Sequence, residues 1–302
     1  MFRRLLTAAA TSVAILLATP AGDAFAAATP WGADYFPNVP LVTQDGKTVR
    51  FYDDLLKDKK VLINFVFTSC SQSCPLDTAK LVQVYKLLEA RAGREIHLYS
   101  ITLDPDNDRP QDLKAYAEKF GAKWTFLTGK REHIDQVREK LGERRDKEEH
   151  ANTVRIGEVA TGRWIKLPLN AESTYIVMEA TNTFDPGWSA GKTLKSIADA
   201  PRPAVFGPGQ LLFHARCAAC HSFGKGDQLG PDLRGITRRR EPAWLMRYLA
   251  EPDKVRASGD VIARELASRY KVPMPNLSLT RKELAELLPY LEAQSTPVAT
   301  GK

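Results

Sequence analysis

The chain has 302 residues, enough for two domains that each bury a core, and 43% of them are hydrophobic and 26% charged. That balance excludes a multispan membrane protein and a disordered chain. The formal charge of +7 is mild for this length and no basic run studded with aromatics accompanies it, so nucleic acid is not implied; a modest attraction to acidic protein surfaces is.

Residues 1–26 read as a signal peptide. Arg3 and Arg4 precede an apolar stretch over residues 5–19, and Ala24-Phe25-Ala26 carries small residues at both positions that signal peptidase requires. The stretch is shorter than the ~20 residues that span a bilayer. Cleavage after Ala26 and a periplasmic location are therefore expected, with an uncleaved anchor as the only membrane link. Asp45-Gly46 then separates apolar pieces at 39–42 and 49–52 as a hairpin turn would. Residues 61–67 form a strongly apolar run broken only by Asn64, the pattern of a central strand buried on both faces, and lead straight to Cys70. From Pro75, Leu81, Val84, Tyr85, Leu87 and Leu88 recur at helical spacing, which puts the proline in a first turn.

A strand at 96–103, a helix at 110–120 stopped by Gly121, a strand at 124–127 and a helix at 132–141 stopped by Gly142 follow. A hairpin of 153–159 with 163–167 closes the series. Such alternation argues for an α/β domain with helices covering a sheet. Residues 198–209 lose all periodicity and hold Pro201, Pro203, Gly207, Pro208 and Gly209, which marks a domain boundary. Beyond it only helices are expected, at 210–220, 243–251, 260–270 and 281–293. The last opens with Thr280 and Glu283 at capping-box spacing.

Four cysteines fall in two tight pairs, which implies two chemical sites rather than a disulfide scaffold. Cys217-Ala218-Ala219-Cys220-His221 spaces two thiols to form thioethers with one porphyrin and delivers the histidine to its iron; a zinc knuckle or a chance match is the alternative. Met274, in the stiff Val272-Pro273-Met274-Pro275-Asn276 loop, is the candidate for the other axial position, ahead of Met246 in a helical run. Between them Leu229-Gly230-Pro231-Asp232-Leu233-Arg234-Gly235 reads as a rigid turn whose Pro231 carbonyl is placed to accept the imidazole Nδ1 hydrogen. Arg238-Arg239-Arg240 is a solvated helix start or a surface that steers a redox partner. At the first pair, Cys70-Ser71-Gln72-Ser73-Cys74-Pro75 sets two thiols at a strand-to-helix junction, where the helix dipole favours thiolate. Cu(I) or a reversible disulfide suits them, and a static structural disulfide is the plainer alternative.

These motifs carry two resemblances. Residues 205–296 resemble a class I cytochrome c domain in the haem motif, the Gly-Pro-x-Leu-x-Gly turn, the Met-Pro loop and the C-terminal helix. The likeness implies an all-α fold around a covalent haem c, held by Cys217, Cys220, His221 and Met274, with Phe213 and Tyr290 packed where the first and last helices cross. Residues 36–198 resemble the Sco/SenC family through Phe65-Val66-Phe67-Thr68-Ser69-Cys70, Cys74-Pro75, Ile101-Thr102-Leu103-Asp104-Pro105-Asp106-Asn107-Asp108, Leu113-Lys114-Ala115-Tyr116-Ala117 and Trp124-Thr125-Phe126-Leu127-Thr128-Gly129. That likeness implies a thioredoxin-like α/β fold and assistance in assembling the copper centre of cytochrome oxidase. In that family both cysteines and a later histidine bind copper, which implies Cys70, Cys74 and His150 here.

Two features depart from the family pattern. The loop lacks the proline that commonly follows the first cysteine, and Glu148-Glu149-His150-Ala151-Asn152 replaces an acidic, histidine, small-hydroxyl order. Asp104 is either a partner to the cysteine site or a turn cap before Pro105, and His97, His133 and His214 carry no assigned role. With residues 199–204 as linker, the expectation is a periplasmic copper metallochaperone with its own electron-transfer haem. Its partner would be the copper-bearing subunit of cytochrome oxidase or another periplasmic redox protein. The enzyme-class alternative is a thiol-disulfide oxidoreductase with Cys70 and Cys74 as catalytic thiols. A third reading makes the N-terminal half a docking module for an ordinary electron carrier.

Overall fold

The computed structural model describes residues 31–70, 73–144, 151–187 and 206–295. The signal sequence, the 199–204 linker, Ser71, Gln72 and His150 lie outside the described residues. Seven strands form one mixed sheet in the order β2-β1-β5-β4-β3-β6-β7. The hairpin at Gly46, which adopts φ +79°, joins β1 (Pro40–Thr43) to β2 (Thr48–Arg50). The second piece continues not as strand but as a π-helical turn, Phe51–Leu56, that drops Phe51, Leu55 and Leu56 into the core. The apolar run becomes β3 (Lys60–Val66), with every residue after Lys60 buried. It pairs in parallel with β4 (Ile96–Thr102), and β4 with β5 (Thr125–Thr128), the crossovers being α1 (Ser73–Leu87) and α2 (Pro110–Phe120). After α3 (Arg131–Lys140), β6 (Thr153–Glu158) and β7 (Arg163–Pro168) add an antiparallel hairpin to the other side of β3.

Both faces of the sheet are covered. On one, Leu62, Val66, Leu98, Phe126 and Ile156 pack against α1, α2 and α4 (Ser173–Phe184). On the other, Leu41, Ile63, Phe65, Ile101 and Leu127 pack against α3 and the segment around Phe36 and Phe51. This is the thioredoxin-like α/β arrangement expected of the first half. α4 has no counterpart among the elements expected from the sequence: its Thr-rich, mixed surface breaks the apolar period, and Ile176, Ala180 and Phe184, with Val177 beside them, anchor it to the core.

The second half is helical: α5 (Pro208–Arg216), α6 (Ile236–Arg239), α7 (Pro242–Ala250), α8 (Pro252–Ala257), α9 (Val261–Arg269) and α10 (Arg281–Ser295). Pro208 and Gly209, read as breakers, belong to the first turn of α5. Proline suits that position because its missing N–H has no intrahelical partner there. Gly209 lies where α5 crosses α10 so closely that a Cβ would stand 2.0 Å from the Glu286 carbonyl oxygen. Phe213 and Tyr290 meet at this crossing with ring centroids 5.6 Å apart. The Thr280–Glu283 capping box forms: Thr280 N–H donates to the Glu283 carboxylate at 2.8 Å, and Glu283 N–H to Thr280 Oγ1 at 3.2 Å.

Candidate functional site

The first site lies at the C-terminal end of β3. Val66 ends the strand, Phe67 accepts the Cys70 N–H at 3.2 Å, and α1 begins at Ser73. Cys70 and Cys74 stand as thiols, and Cys70 Sγ accepts the Cys74 backbone N–H at 3.3 Å. From the strand-to-helix junction alone, the helix dipole is expected to lower both thiol pKa values. Cys74 goes the other way: its hydrogen bond to Cys70, its burial and the charge of Cys70 hold its thiol well above the ordinary range. Burial and a second sulfur outweigh a dipole that is worth about 0.3–1 kcal/mol at exposed sites. Asp77, one turn on and 4% exposed, is pushed up to about 8, first by burial and then by Cys70.

Asp108, which sequence reasoning passed over, organises this end of the sheet. It is 1% exposed and its carboxylate accepts the Thr68 N–H at 3.1 Å and the Thr102 hydroxyl at 2.5 Å, tying the segment before Cys70 to the end of β4. Its signal in the sequence was its place at the end of the 101–108 stretch that resembles the Sco/SenC family. Asp104 is the turn cap: it accepts the Asn107 amide at 3.0 Å, and its own N–H donates to Thr102 Oγ1 at 2.9 Å.

The sheet register bears on His150. β3 and β6 run antiparallel with Ile63 opposite Arg155, so the chain entering β6 comes from the end where β3 leads to Cys70. Both flanks of residues 145–150 are fixed by a buried ion pair. Arg155 Nη2 lies 2.7 Å from Glu143 Oε2, and the Ala151 N–H donates to Glu143 Oε1 at 3.4 Å. His133 Nδ1 is 3.0 Å from the Pro40 carbonyl and His97 stacks near Tyr99, far in role from a ligand.

In the second half, Cys217, Cys220, His221 and Met274 line one cavity, whose apolar walls include Leu245 and Leu287; Met246 is instead packed into the α5–α10 core. Cys217 N–H bonds back to Phe213, and both Cys220 and His221 donate to the Cys217 carbonyl at 3.0 Å, so a helical turn holds the two thiols on one side. Burial pushes both thiols up to about 12, keeping them protonated and apolar. His221 Nδ1 is 2.9 Å from the Pro231 carbonyl, as the turn sequence anticipates. A carbonyl only accepts, so the proton sits on Nδ1 and the Nε2 lone pair is left for a metal. Burial also lowers the His221 pKa, which keeps the ring neutral. Gly230 is required: a Cβ there would stand 2.5 Å from His221 Cε1. Among the described residues no three His, Cys, Asp or Glu side chains gather as a zinc knuckle needs. An apolar cavity with two thiols, a neutral imidazole and a thioether fits a covalent haem.

The arginine run is structural in part. Arg239 donates to the Asp232 carbonyl at 2.8 Å, Arg240 lies over Trp244, and both line the cavity. No helix among the described residues is long and apolar enough to cross a membrane.

A thioredoxin-like sheet that leads out to two thiols, joined to a helical unit with a Cys-x-x-Cys-His turn, marks a fusion of two modules. Residues 32–157 match the SCO1/SenC family model and residues 207–295 the cytochrome c family model; the chain carries a SCO1/SenC domain followed by a cytochrome c domain, which implies haem c. A SCO1 protein homolog of Bacillus subtilis is 37% identical over 89 residues, 28% of this chain and 45% of that protein. A SCO2-like protein of Rickettsia conorii is 35% identical over 101 residues, 33% of this chain and 48% of that protein. A SCO1/SenC family lipoprotein structure from Bacillus anthracis superposes with a TM-score of 0.44 at 25% identity, over 50% of this chain and 95% of that one. The chain spans about half the length of the curated relatives it matches.

Proposed function

We propose that this is a periplasmic copper-handling protein that helps to assemble the copper centre of a respiratory oxidase, with Cys70, Cys74 and His150 holding the metal as cargo. In the same reading Cys217 and Cys220 bind haem covalently, His221 and Met274 take its iron's axial positions, and the haem supplies one-electron transfer. The chain then works as a metallochaperone and electron carrier rather than as an enzyme.

The observation that carries this reading is that β3 leads out to Cys70 at the end of the sheet where β6 begins. There the Cys70–Cys74 turn leaves β3, and the segment that follows His150 enters β6 beside it. Two soft thiolates and one imidazole suit both Cu(I) and Cu(II). Anaerobic copper titration of the exported protein tests it: tight stoichiometric Cu(I) binding is expected, with His150→Ala losing Cu(II) affinity more than Cu(I) affinity. No stoichiometric binding would sink the reading.

The hydrogen bond between Cys74 and Cys70 favours one alternative, a haem-linked thiol-disulfide oxidoreductase. It requires two electrons per turnover against one per haem. Reduction of a partner disulfide by the copper-free protein, lost in Cys70→Ser, would establish it.

A further inference from the structure

Helix α1 touches both sites. Its first turn holds Cys74, and the next two residues, Pro75 and Leu76, line the cavity that Cys217, Cys220, His221 and Met274 share. Farther along the same helix, Gln83 Nε2 donates to the Ala218 carbonyl at 2.6 Å, inside the haem-attachment turn. The Ser173 hydroxyl donates to Gln83 Oε1 at 2.9 Å, which fixes the amide with its NH2 toward that turn. Lys80, 1% exposed, directs Nζ at the His214 carbonyl 3.4 Å away, and His214 Nδ1 meets Glu172 at 3.2 Å.

The methionine loop arrives at the same domain. Val272, two residues before Met274, is buried in the apolar cluster that contains Cys74, with Cys70 and Leu229 packed against it. Attachment turn, post-histidine turn and methionine loop therefore all rest on the domain that carries the first cysteine pair. A buried lysine and a half-buried amide lose hydration unless their partners across the junction stay in place, so these contacts favour a persistent junction.

We infer that α1 is a shared wall through which the Cys70–Cys74 site and the haem exchange single electrons within one molecule, Pro75 and Leu76 forming the contact and Lys80 and Gln83 holding it. This rests on the copper reading above. One electron leaves the cuprous cargo, which becomes cupric, and one enters the ferric haem iron, which becomes ferrous. No bond or proton changes place.

The test mixes full-length ferric holoprotein anaerobically with equimolar Cu(I) and follows the haem absorption bands. The expected result is reduction of the haem in a first-order phase whose rate is independent of protein concentration; a rate proportional to concentration overturns the inference. Leu76→Asp and Gln83→Ala should slow that phase about tenfold or more, a small displacement at a reacting contact costing up to 10²-fold, while Cu(I) affinity by chelator competition is unchanged. Wild-type rates in both variants overturn it. The concentration series needs no variant, so a misfolded variant leaves the test intact. If Cu(I) does not bind, the copper reading fails by itself. The shared wall is then read from the haem midpoint potential with Cys70 and Cys74 as dithiol and as disulfide: a difference abolished by Leu76→Asp supports it, and identical potentials overturn it.

Discussion

Asp232 shows how much one side chain in the cytochrome c domain carries. Its carboxylate accepts N–H groups from Gly224, Gly226 and Arg234, each at 2.8 Å, and the Ser222 hydroxyl at 3.0 Å. Burial alone would raise its pKa, but the three amides and the hydroxyl outweigh it and hold the group well below the usual carboxylate range. A depressed folded-state pKa contributes stability that is present above the unfolded value of about 3.9 and is lost as pH falls through the folded one. Asp232→Asn should therefore melt lower than wild type at neutral pH, with the gap narrowing in scans taken below about pH 4. A constant gap across that range would refute the assignment. At the haem site, Met274→Ala should leave the haem covalently attached but lower its midpoint potential and alter the ferric spectrum, whereas Met246→Leu should change neither. Redox titration of the two variants separates a ligand from a core methionine.

At the scale of elements, the Glu143–Arg155 pair fastens the chain on both sides of residues 145–150. Both side chains are almost fully buried, Arg155 Nε also donates to the Leu141 carbonyl at 3.0 Å, and its guanidinium lies 4.8 Å from the Phe65 ring. Removing one member of such a pair leaves an uncompensated charge and costs about 3–5 kcal/mol. Glu143→Gln should show that loss in denaturant unfolding and, because one amide oxygen cannot accept from both Arg155 and the Ala151 N–H, should weaken Cu(II) binding in the same direction as His150→Ala. Intact Cu(II) affinity in a destabilised Glu143→Gln would separate the pair from the metal site. The pair was not legible in the sequence, since nothing in a string of charges says which two are buried against each other. The elements that were legible had a strong local cause. β3 showed as a run apolar after Lys60 at all but Asn64, α2 as a helix bounded by Pro110 and Gly121 with φ +67°, and α10 as a capping box. The Cys-x-x-Cys-His turn was legible from its spacing, and its Pro231 acceptor from the Gly-Pro-x-Leu-x-Gly turn that follows. α4, Asp108 and the contacts of Gln83 depend on what lies opposite them in space, and no local period records that.

For the molecule as a whole, the contacts along α1 decide whether the two domains behave as one. An apolar cluster that includes Cys74 and Val272, with Gln83 bonded to the Ala218 carbonyl, joins the sheet domain to the helical one across more than chain connectivity. Domains that share buried apolar area and a satisfied, half-buried amide lose both when either unfolds, so their transitions are coupled. Heating the holoprotein should give coincident transitions whether followed through the sheet's far-ultraviolet dichroism or the haem absorption. Gln83→Ala leaves the Ser173 hydroxyl and the Ala218 carbonyl without their partner, a loss of about 1–3 kcal/mol at the junction rather than within either core. Its two signals should therefore separate, with the haem signal changing first because the helical domain has the smaller core. Gly209→Ala, which forces α5 away from α10, should lower the haem transition by the ~1–3 kcal/mol typical of overpacking while moving the sheet transition only through the coupling. If both domains melt apart in the wild type, the junction is too weak to hold the two cysteine sites in register. If they melt together and part only in Gln83→Ala, α1 is the element that makes one molecule of two modules.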